Sequence, residues 1–149
     1  MGHSYLGEWV NLGAGTSNSD LKDTYGIIKY KVSGKTIDSG EQFFGCVIGD
    51  NAKSSIGTMI YTGKTIGFAA HIHGIIYQDV PSFCMWAKSL GAEPSEFILD
   101  SAITTYSRAA ERRGVKLTKE YEGLMRNIFE ATKDERKGCN VSNNKFCLG

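Results

Sequence analysis

Three histidines have the most readily defined chemistry in this chain, because an imidazole can accept a proton near neutral pH or bind a metal ion. His71 and His73 are two residues apart, whereas His3 is distant from them in sequence. A catalytic zinc ion needs at least three well-placed protein ligands. We therefore expect no metal site. For His3 two interpretations stay open: a general base, or an exposed residue near the terminus.

The charge balance gives no support for binding to nucleic acid or to a membrane surface. The 149 residues include 17 lysines and arginines against 16 acidic residues, which gives a net charge of +1. No stretch approaches the ~18 apolar residues of a membrane span, and the first residues lack the pattern of a signal peptide. We expect neither a nucleic-acid nor a membrane partner.

The cysteines indicate the compartment. Cys46, Cys84, Cys139 and Cys147 form no CxxC pair, and the chain is not dense in cysteine. This usage is typical of reduced thiols, so we predict a cytoplasmic protein. A bridge between Cys139 and Cys147 is the alternative.

Aliphatic or small residues recur at every sixth position. The first residues of successive rows are Leu6, Leu12, Ile48, Ser54, Ile60, Ile66 and Ile72, and the fifth residues are Val10, Thr16, Ala52, Thr58, Lys64, Ala70 and Ile76. Six is the period of neither a helix nor a simple strand. It is typical of a parallel β-helix, in which each row forms one short strand and one corner and these two positions fill the interior. An all-β sandwich is the alternative. The spacing does not fix the handedness of the coil, and the general rule for parallel crossovers predicts a right-handed one.

Other segments interrupt and follow this repeat. We place the repeat in residues 1–93, with an insertion at about 18–46 in which IIKYKV, SGK and TID predict a β-hairpin turning at Gly34. Residues 94–138 predict an αα-hairpin with Ser95 and Thr118 at the starts of its helices, and we interpret residues 139–149 as a flexible tail. We expect the helices to lie across the open end of the β-helix. Because so short a stack is hard to stabilise alone, we also expect association with other copies.

The sequence NLGAGT at residues 11–16, the hairpin, and VIGDNAKSSIGTMIYTGKTIG at residues 47–67 together carry a resemblance. They resemble the acetyltransferase domain of bifunctional sugar-1-phosphate nucleotidylyltransferase/glucosamine-1-phosphate N-acetyltransferases, over about residues 2–83. This resemblance implies a mainly β fold, a short left-handed parallel β-helix with a β-hairpin insertion and a C-terminal αα-hairpin. It also implies a homotrimer that binds acetyl-CoA as co-substrate between subunits and acetylates an amino-sugar 1-phosphate. The resemblance does not extend to the nucleotidylyltransferase domain, so we expect no such activity in this chain.

The resemblance also implies site residues. His3, in GHSYLG, matches the segment that carries the family's general base, and Asn11 matches an asparagine that contacts substrate. Asp20 falls where the family has asparagine, and we expect Lys22 and Lys29 to pair with its charge and to approach the phosphate. The implied set is His3 as catalytic residue; Tyr5, Asn11, Asp20, Lys22 and Lys29 as substrate-binding residues; and Gly67, Ala69, Ala70 and His71 as cofactor-binding residues, with backbone amides of 67–70 near the thioester.

Two other functions stay open. The chain departs from the family pattern at Asp20, Ser55 and Gly57. These departures favour a non-catalytic trimerisation or ligand-binding module derived from such an enzyme. A metal-dependent hydratase is the third possibility, and it requires the three histidines to converge.

Overall fold

The computed structural model describes residues 1–148, which are mostly short strands followed by three α-helices. The strands are β1 (Tyr5–Leu6), β2 (Ser17–Asn18), β3 (Lys29–Val32), β4 (Lys35–Asp38), β5 (Cys46–Ile48), β6 (Lys53–Ser54), β7 (Met59–Ile60), β8 (Lys64–Ile66), β9 (His71–Ile72), β10 (Ile75–Ile76), β11 (Cys84–Trp86) and β12 (Ser95–Glu96), and the helices are α1 (Leu99–Glu111), α2 (Lys119–Ala131) and α3 (Lys133–Gly138). No helix within these residues combines the length and apolar character that crossing a bilayer requires.

Nine of the strands form three parallel sheets. Sheet A has the order β1-β5-β8, sheet B the order β6-β9-β11, and sheet C the order β2-β7-β10. Consecutive strands of these nine belong to different sheets. Two of the strand pairings join residues three six-residue rows apart: Val47 pairs with Thr65 in sheet A and Lys53 with His71 in sheet B. This arrangement is compatible with the predicted β-helix.

Most inward positions of the rows are those that the six-residue spacing predicts. Ile48, Ser54, Ile60, Ile66 and Ile72 are buried, as are Ala52, Thr58 and Ala70 at the fifth positions. Lys64, also predicted to face inward, is only partly buried and lines a groove at the surface. Leu6, in the first row, is 38% exposed because β1 is an edge strand of sheet A. The six-residue register ends after Ile72. If the spacing continued, Gln78 would pair with Ile60, but Ile76 pairs with Ile60 instead.

The hairpin of β3 and β4 lies over sheet A. Its two-residue turn places Ser33 and Gly34 at φ 48° and 76°, the left-handed region that glycine adopts without strain. The Thr65 hydroxyl of β8 donates to the carbonyl of Lys31 at 2.6 Å, and the rings of Tyr30 and Phe44 stack with centroids 4.7 Å apart. These contacts hold the hairpin against the sheet.

The start of the first helix differs from the prediction. Ser95 does not cap a helix; it belongs to β12, which pairs antiparallel with β11 at the edge of sheet B, and α1 begins three residues after Glu96. Pairing with Met85 outweighs the local capping preference of serine. The second start is confirmed, because Thr118 Oγ1 accepts a hydrogen bond from the backbone amide of Tyr121 at 3.2 Å.

The helices also lie elsewhere than predicted. They pack along one lateral corner of the three-sheet region, not across its end. Four non-glycine residues with positive φ occur at this corner, one in each successive turn: Trp9, Asn51, Ala69 and Phe83. Ala102, Ile103, Tyr106 and Met125 of α1 and α2 pack against this corner and bury its apolar atoms.

The carboxyl-terminal segment covers part of the apolar core. Cys139 and Val141 pack against the core that contains Trp86. Ser142 accepts a hydrogen bond from the Glu96 amide at 2.8 Å and donates its own amide to Pro94. Part of the predicted tail therefore contacts β12, and its last residue, Gly149, lies outside the described residues.

Candidate functional site

His3 and Asp20 meet at the point where the hairpin insertion leaves and rejoins sheets A and C. His3 precedes β1 and Asp20 follows β2. The distance from His3 Nδ1 to Asp20 Oδ2 is 2.7 Å. The His3 carbonyl accepts from the Gly45 amide at 2.8 Å, and the Asp20 carbonyl accepts from the Phe44 amide at 2.9 Å. The returning end of the insertion therefore positions both residues of the pair through their backbones.

A second layer of hydrogen bonds holds the segment that carries His3. The Asn18 side chain accepts from the amide of Gly2 at 2.8 Å and donates to its carbonyl at 2.9 Å. Asn18 also donates to Ser4 Oγ at 3.2 Å, and that hydroxyl accepts from the Cys46 amide. The amino-terminal residues are thus fixed to β2 and β5 rather than free.

The geometry suits proton transfer by the imidazole. A proton on His3 Nδ1 donates to the Asp20 carboxylate, which leaves Nε2 with a lone pair for an external proton. The His3 side chain is 60% exposed and the Asp20 side chain 32% exposed. The Phe43 ring lies 5.6 Å from the imidazole and forms an apolar wall beside it. The pair can therefore be reached by a small molecule.

Asp20 does not have the lysine partners that the sequence suggests. None of the ion pairs between residues 1 and 148 joins Lys22 or Lys29 to Asp20. Lys22 Nζ instead donates to the carbonyl of Ile27 at 2.6 Å, and Lys29 lies in the exposed strand β3 opposite Asp38. The expectation of lysine pairing is wrong: His3 is the residue that pairs with Asp20, and the two lysines are directed elsewhere.

The other two substrate-binding candidates lie at different distances from the pair. Tyr5 is two residues after His3, in β1, and is 65% exposed. Asn11 is also exposed, but it forms a bridge with Lys53 of β6 on the edge of sheet B. The structure therefore brings Tyr5 to the His3 side of the molecule and leaves Asn11 on another face.

The cofactor-binding candidates have their amides already bonded. The amides of Gly67, Ala69 and Ala70 donate to the carbonyls of Val80, Asp50 and Gly67. Ala69 is covered by the helices, and Ala70 lies in the core between the sheets. These amides are not free to hold a thioester within this chain.

His71 faces outward from sheet B in the same column as Lys53, with the Phe97 ring 4.4 Å from its own. Burial, followed by the charges of Lys53 and His73, lowers the pKa of His71 to about 4. Burial also lowers the pKa of Lys53 and of His73. No three His, Cys, Asp or Glu side chains of the described chain are grouped as metal ligands.

Sequence reasoning missed Asn18 and Ser4 as supports of the site. A signal for Asn18 exists, because it follows Leu6 and Leu12 at the six-residue spacing and so occupies an inward position. A polar residue at a position that repeats as leucine or isoleucine must find hydrogen-bond partners. Those partners are the backbone of Gly2 and the hydroxyl of Ser4.

Comparison with known proteins gives one informative similarity. No protein-family model matches the chain. The chain is 35% identical over 82 residues to a bifunctional sugar-1-phosphate nucleotidylyltransferase/acetyltransferase of Sulfurisphaera tokodaii. The match covers 54% of this chain and 20% of that protein, so the chain spans about a fifth of the length of this relative. The similarity supports a relationship between this chain and that family of transferases.

Proposed function

We propose that this chain is an acyl-CoA-dependent acyltransferase that N-acetylates an amino-sugar 1-phosphate at sites between the subunits of a homotrimer. The relative's name includes an acetyltransferase activity, which supports the reaction class. The observation that carries the proposal is the pair of His3 and Asp20 with an exposed imidazole. The fold that we propose for residues 1–93 is a left-handed β-helix, and its handedness rests on the family resemblance.

The proposed reaction requires one proton to be moved twice. The neutral amine of the sugar attacks the thioester carbonyl of acetyl-CoA, and His3 Nε2 accepts the proton that the nitrogen loses. The C–S bond then breaks, and the imidazolium returns the proton to the departing thiolate. The products are the N-acetyl sugar phosphate and free CoA thiol. Asp20 stabilises the imidazolium through its bond to Nδ1.

The trimer part of the proposal is supported by an exposed apolar face. Large side chains on the outer side of sheet C and its adjoining corners are each at least 41% exposed: Ile56, Met59, Tyr61, Ile75 and Tyr77. A contiguous apolar surface of this kind is unusual on a monomer and typical of a subunit interface. Within the proposed trimer, Asn11 of one subunit would complete the site with His3 of its neighbour, because one chain holds them on different faces.

Acetyl-CoA fits this arrangement only between subunits. The bonded amides of Gly67, Ala69 and Ala70 leave no donors for the thioester inside one chain. We therefore assign the acyl donor to the cleft that adjoining copies would form. Tyr5, next to the pair and exposed, is proposed to line the acceptor side of that cleft.

Thiol release tests the function. Purified protein is incubated with acetyl-CoA and glucosamine 1-phosphate or galactosamine 1-phosphate, with glucose 1-phosphate as the acceptor without an amine. We expect thiol release with an amino sugar, and a loss of roughly 100-fold or more in His3→Gln. His73→Gln, at the residue directly after β9, is the matched histidine control and should retain activity.

The same experiment separates the alternative. A trimer that releases no thiol with any acceptor and shows no rise in melting temperature with millimolar acetyl-CoA would be a trimerisation module and not an acetyltransferase. Equal activity in His3→Gln and wild-type protein would remove His3 from the mechanism.

A further inference from the structure

A groove lies between the tip of the β3–β4 hairpin and helix α3, on the outer surface of sheet A. We call it the hairpin groove. Its volume is about 690 Å³, which is within the range of small-molecule sites. Val32, Val47, Val80 and Pro81 contribute apolar lining. The hydrogen bond from Thr65 to the Lys31 carbonyl anchors the hairpin wall, so the groove is already formed without a ligand.

Three lysines line the groove and lack acidic partners. Lys31, Lys64 and Lys88 form none of the ion pairs found in residues 1–148. Lys88 Nζ lies 4.6 Å from the centre of the Trp86 ring and contacts the amide oxygen of Gln78 at 3.4 Å. Against the carboxylates of Asp79 and Glu135, the three lysines leave a net positive charge on this concave surface, which attracts an anion.

The carboxylates in the groove are occupied by structural hydrogen bonds. Asp79 Oδ1 accepts from the Thr65 amide at 2.9 Å. Glu135 Oε2 accepts from the hydroxyl of Ser82 at 3.2 Å and, at 3.4 Å, from its amide. Each carboxylate is thus directed at the backbone beneath it rather than at a lysine.

The hairpin tip adds neutral donors. The amides of Ser33 and Gly34 make no hydrogen bond to any acceptor of the described chain, and both residues line the groove. Backbone amides and lysine ammonium groups on one surface are the donors that bind phosphate oxygens.

We propose that the hairpin groove binds a small molecule of nucleotide size through its phosphate groups. The lysines and the two tip amides hold the phosphates, and the valines and proline contact the remainder of the ligand. The proposal concerns a surface apart from the His3–Asp20 pair, although Gly67, which the family resemblance assigns to the cofactor, also lines the groove. Gly45 contacts His3, and Gly49 lines the hairpin groove. About four residues of extended chain, ~13 Å, therefore separate His3 from the groove.

Calorimetric titration at low salt with pyrophosphate, ADP and adenosine tests this proposal. We expect pyrophosphate and ADP to bind and adenosine not to bind. Lys64→Ala and Lys88→Ala should each raise the dissociation constant for pyrophosphate by about tenfold or more. The control is Lys35→Ala, which removes a lysine of the same hairpin that does not line the groove.

Two further measurements keep the result interpretable. Melting curves establish that each variant is folded. Because two lysine variants are made, the proposal is still tested if one of them does not fold. His3→Gln should bind pyrophosphate like wild-type protein even where it has lost acetyl transfer, so the failure of one proposal is distinguishable from failure of the other. Absence of pyrophosphate binding at millimolar concentration, or equal weakening by Lys35→Ala and Lys64→Ala, overturns the assignment.

Discussion

His3 Nδ1 and Asp20 Oδ2 lie 2.7 Å apart although 17 positions separate the residues in sequence. The contact exists because the strand pairing of β1 with β5 and the return of the insertion at Gly45 bring the two segments together. The Asp20 carboxylate provides a hydrogen-bond partner for Nδ1 of the exposed His3 ring. The pair therefore supports a role that needs a positioned imidazole.

The first prediction concerns the function of the Asp20 carboxylate. Asp20→Asn keeps the size of the side chain but removes its charge, and its NH2 group can donate to His3 Nδ1 and so favour the wrong tautomer. Asp20→Ala removes the partner altogether. Because the negative charge stabilises the imidazolium, we expect each variant to lose on the order of 100-fold or more in the acetyl-transfer rate.

Steady-state thiol release measures both rates, and a split between kcat and KM identifies the cause. A positioning role lowers kcat with KM nearly unchanged. If Asp20→Asn and Asp20→Ala raised only KM and did so equally, Asp20 would be a substrate ligand and not a support of His3.

The second prediction concerns the exposed face of sheet C. Met59→Asp and Ile75→Asp place a charge on the outer side of strands β7 and β10, where both side chains are exposed. Burying that charge in a subunit interface without a partner is costly. We expect wild-type protein to be a trimer by light scattering and each variant to be a monomer.

Leu124→Asp is the matched control, because Leu124 is 47% exposed on α2, which packs at the corner of Trp9 and Phe83 and not on sheet C. It should leave the trimer intact. A monomeric wild-type protein at micromolar concentration contradicts the shared-site model, because Asn11 and His3 could then not meet across an interface.

The sequence predicts the repeat and its turns better than it predicts how distant segments meet. Six-residue spacing identifies the inward residues as far as Ile72, and Gly34 and Thr118 mark a turn and a helix start through local backbone preferences. Ser95 shows the limit of such preferences. Its conformation is set by pairing with Met85 and Ser142, which no local pattern encodes.

The location of the helices is unpredictable for a related physical reason. Their binding surface is a column of corner residues that includes Trp9, Ala69 and Phe83, which come from different turns of the chain. Only the stacking of those turns creates the surface. The partner of Asp20 was missed in the same way, because a lysine nearby in sequence is a weaker guide than strand register.

The third prediction is a pH dependence of stability that comes from His71. Its pKa is about 4 in the folded protein, mainly because of burial, against about 6.5 for the unfolded chain. The unfolded state therefore binds more protons between these values, so the stability from neutral His71 is present above pH ~6.5 and is lost as pH falls towards 4. The loss is at most about 3 kcal/mol.

Urea unfolding at a fixed protein concentration, repeated from pH 4 to pH 8, measures this slope. His71→Gln cannot be protonated, so its free energy of unfolding should fall less over that range than that of wild-type protein. Identical slopes for the two proteins would assign the pH dependence to other groups.

The last prediction separates a structural role of Gly67 from the cofactor-binding role that the family resemblance implies. A Cβ added at Gly67 would lie 2.3 Å from the backbone nitrogen of Ser82 and 2.6 Å from its Cα. Neither atom can yield without moving the adjacent turn. We expect Gly67→Ala to lower the free energy of unfolding by roughly 1–3 kcal/mol, the usual cost of overpacking.

Gly123 provides the contrast. It lies within α2, and a Cβ there has no heavy atom within 4 Å. Gly123→Ala should therefore stabilise the protein by up to about 1 kcal/mol, the difference in helix propensity between the two residues. Denaturation of both variants and of wild-type protein, at one protein concentration, shows whether each substitution lowers or raises the free energy of unfolding. A normally stable Gly67→Ala protein with a raised KM for acetyl-CoA would instead place the acyl donor against this glycine, despite the bonds that its amide already makes.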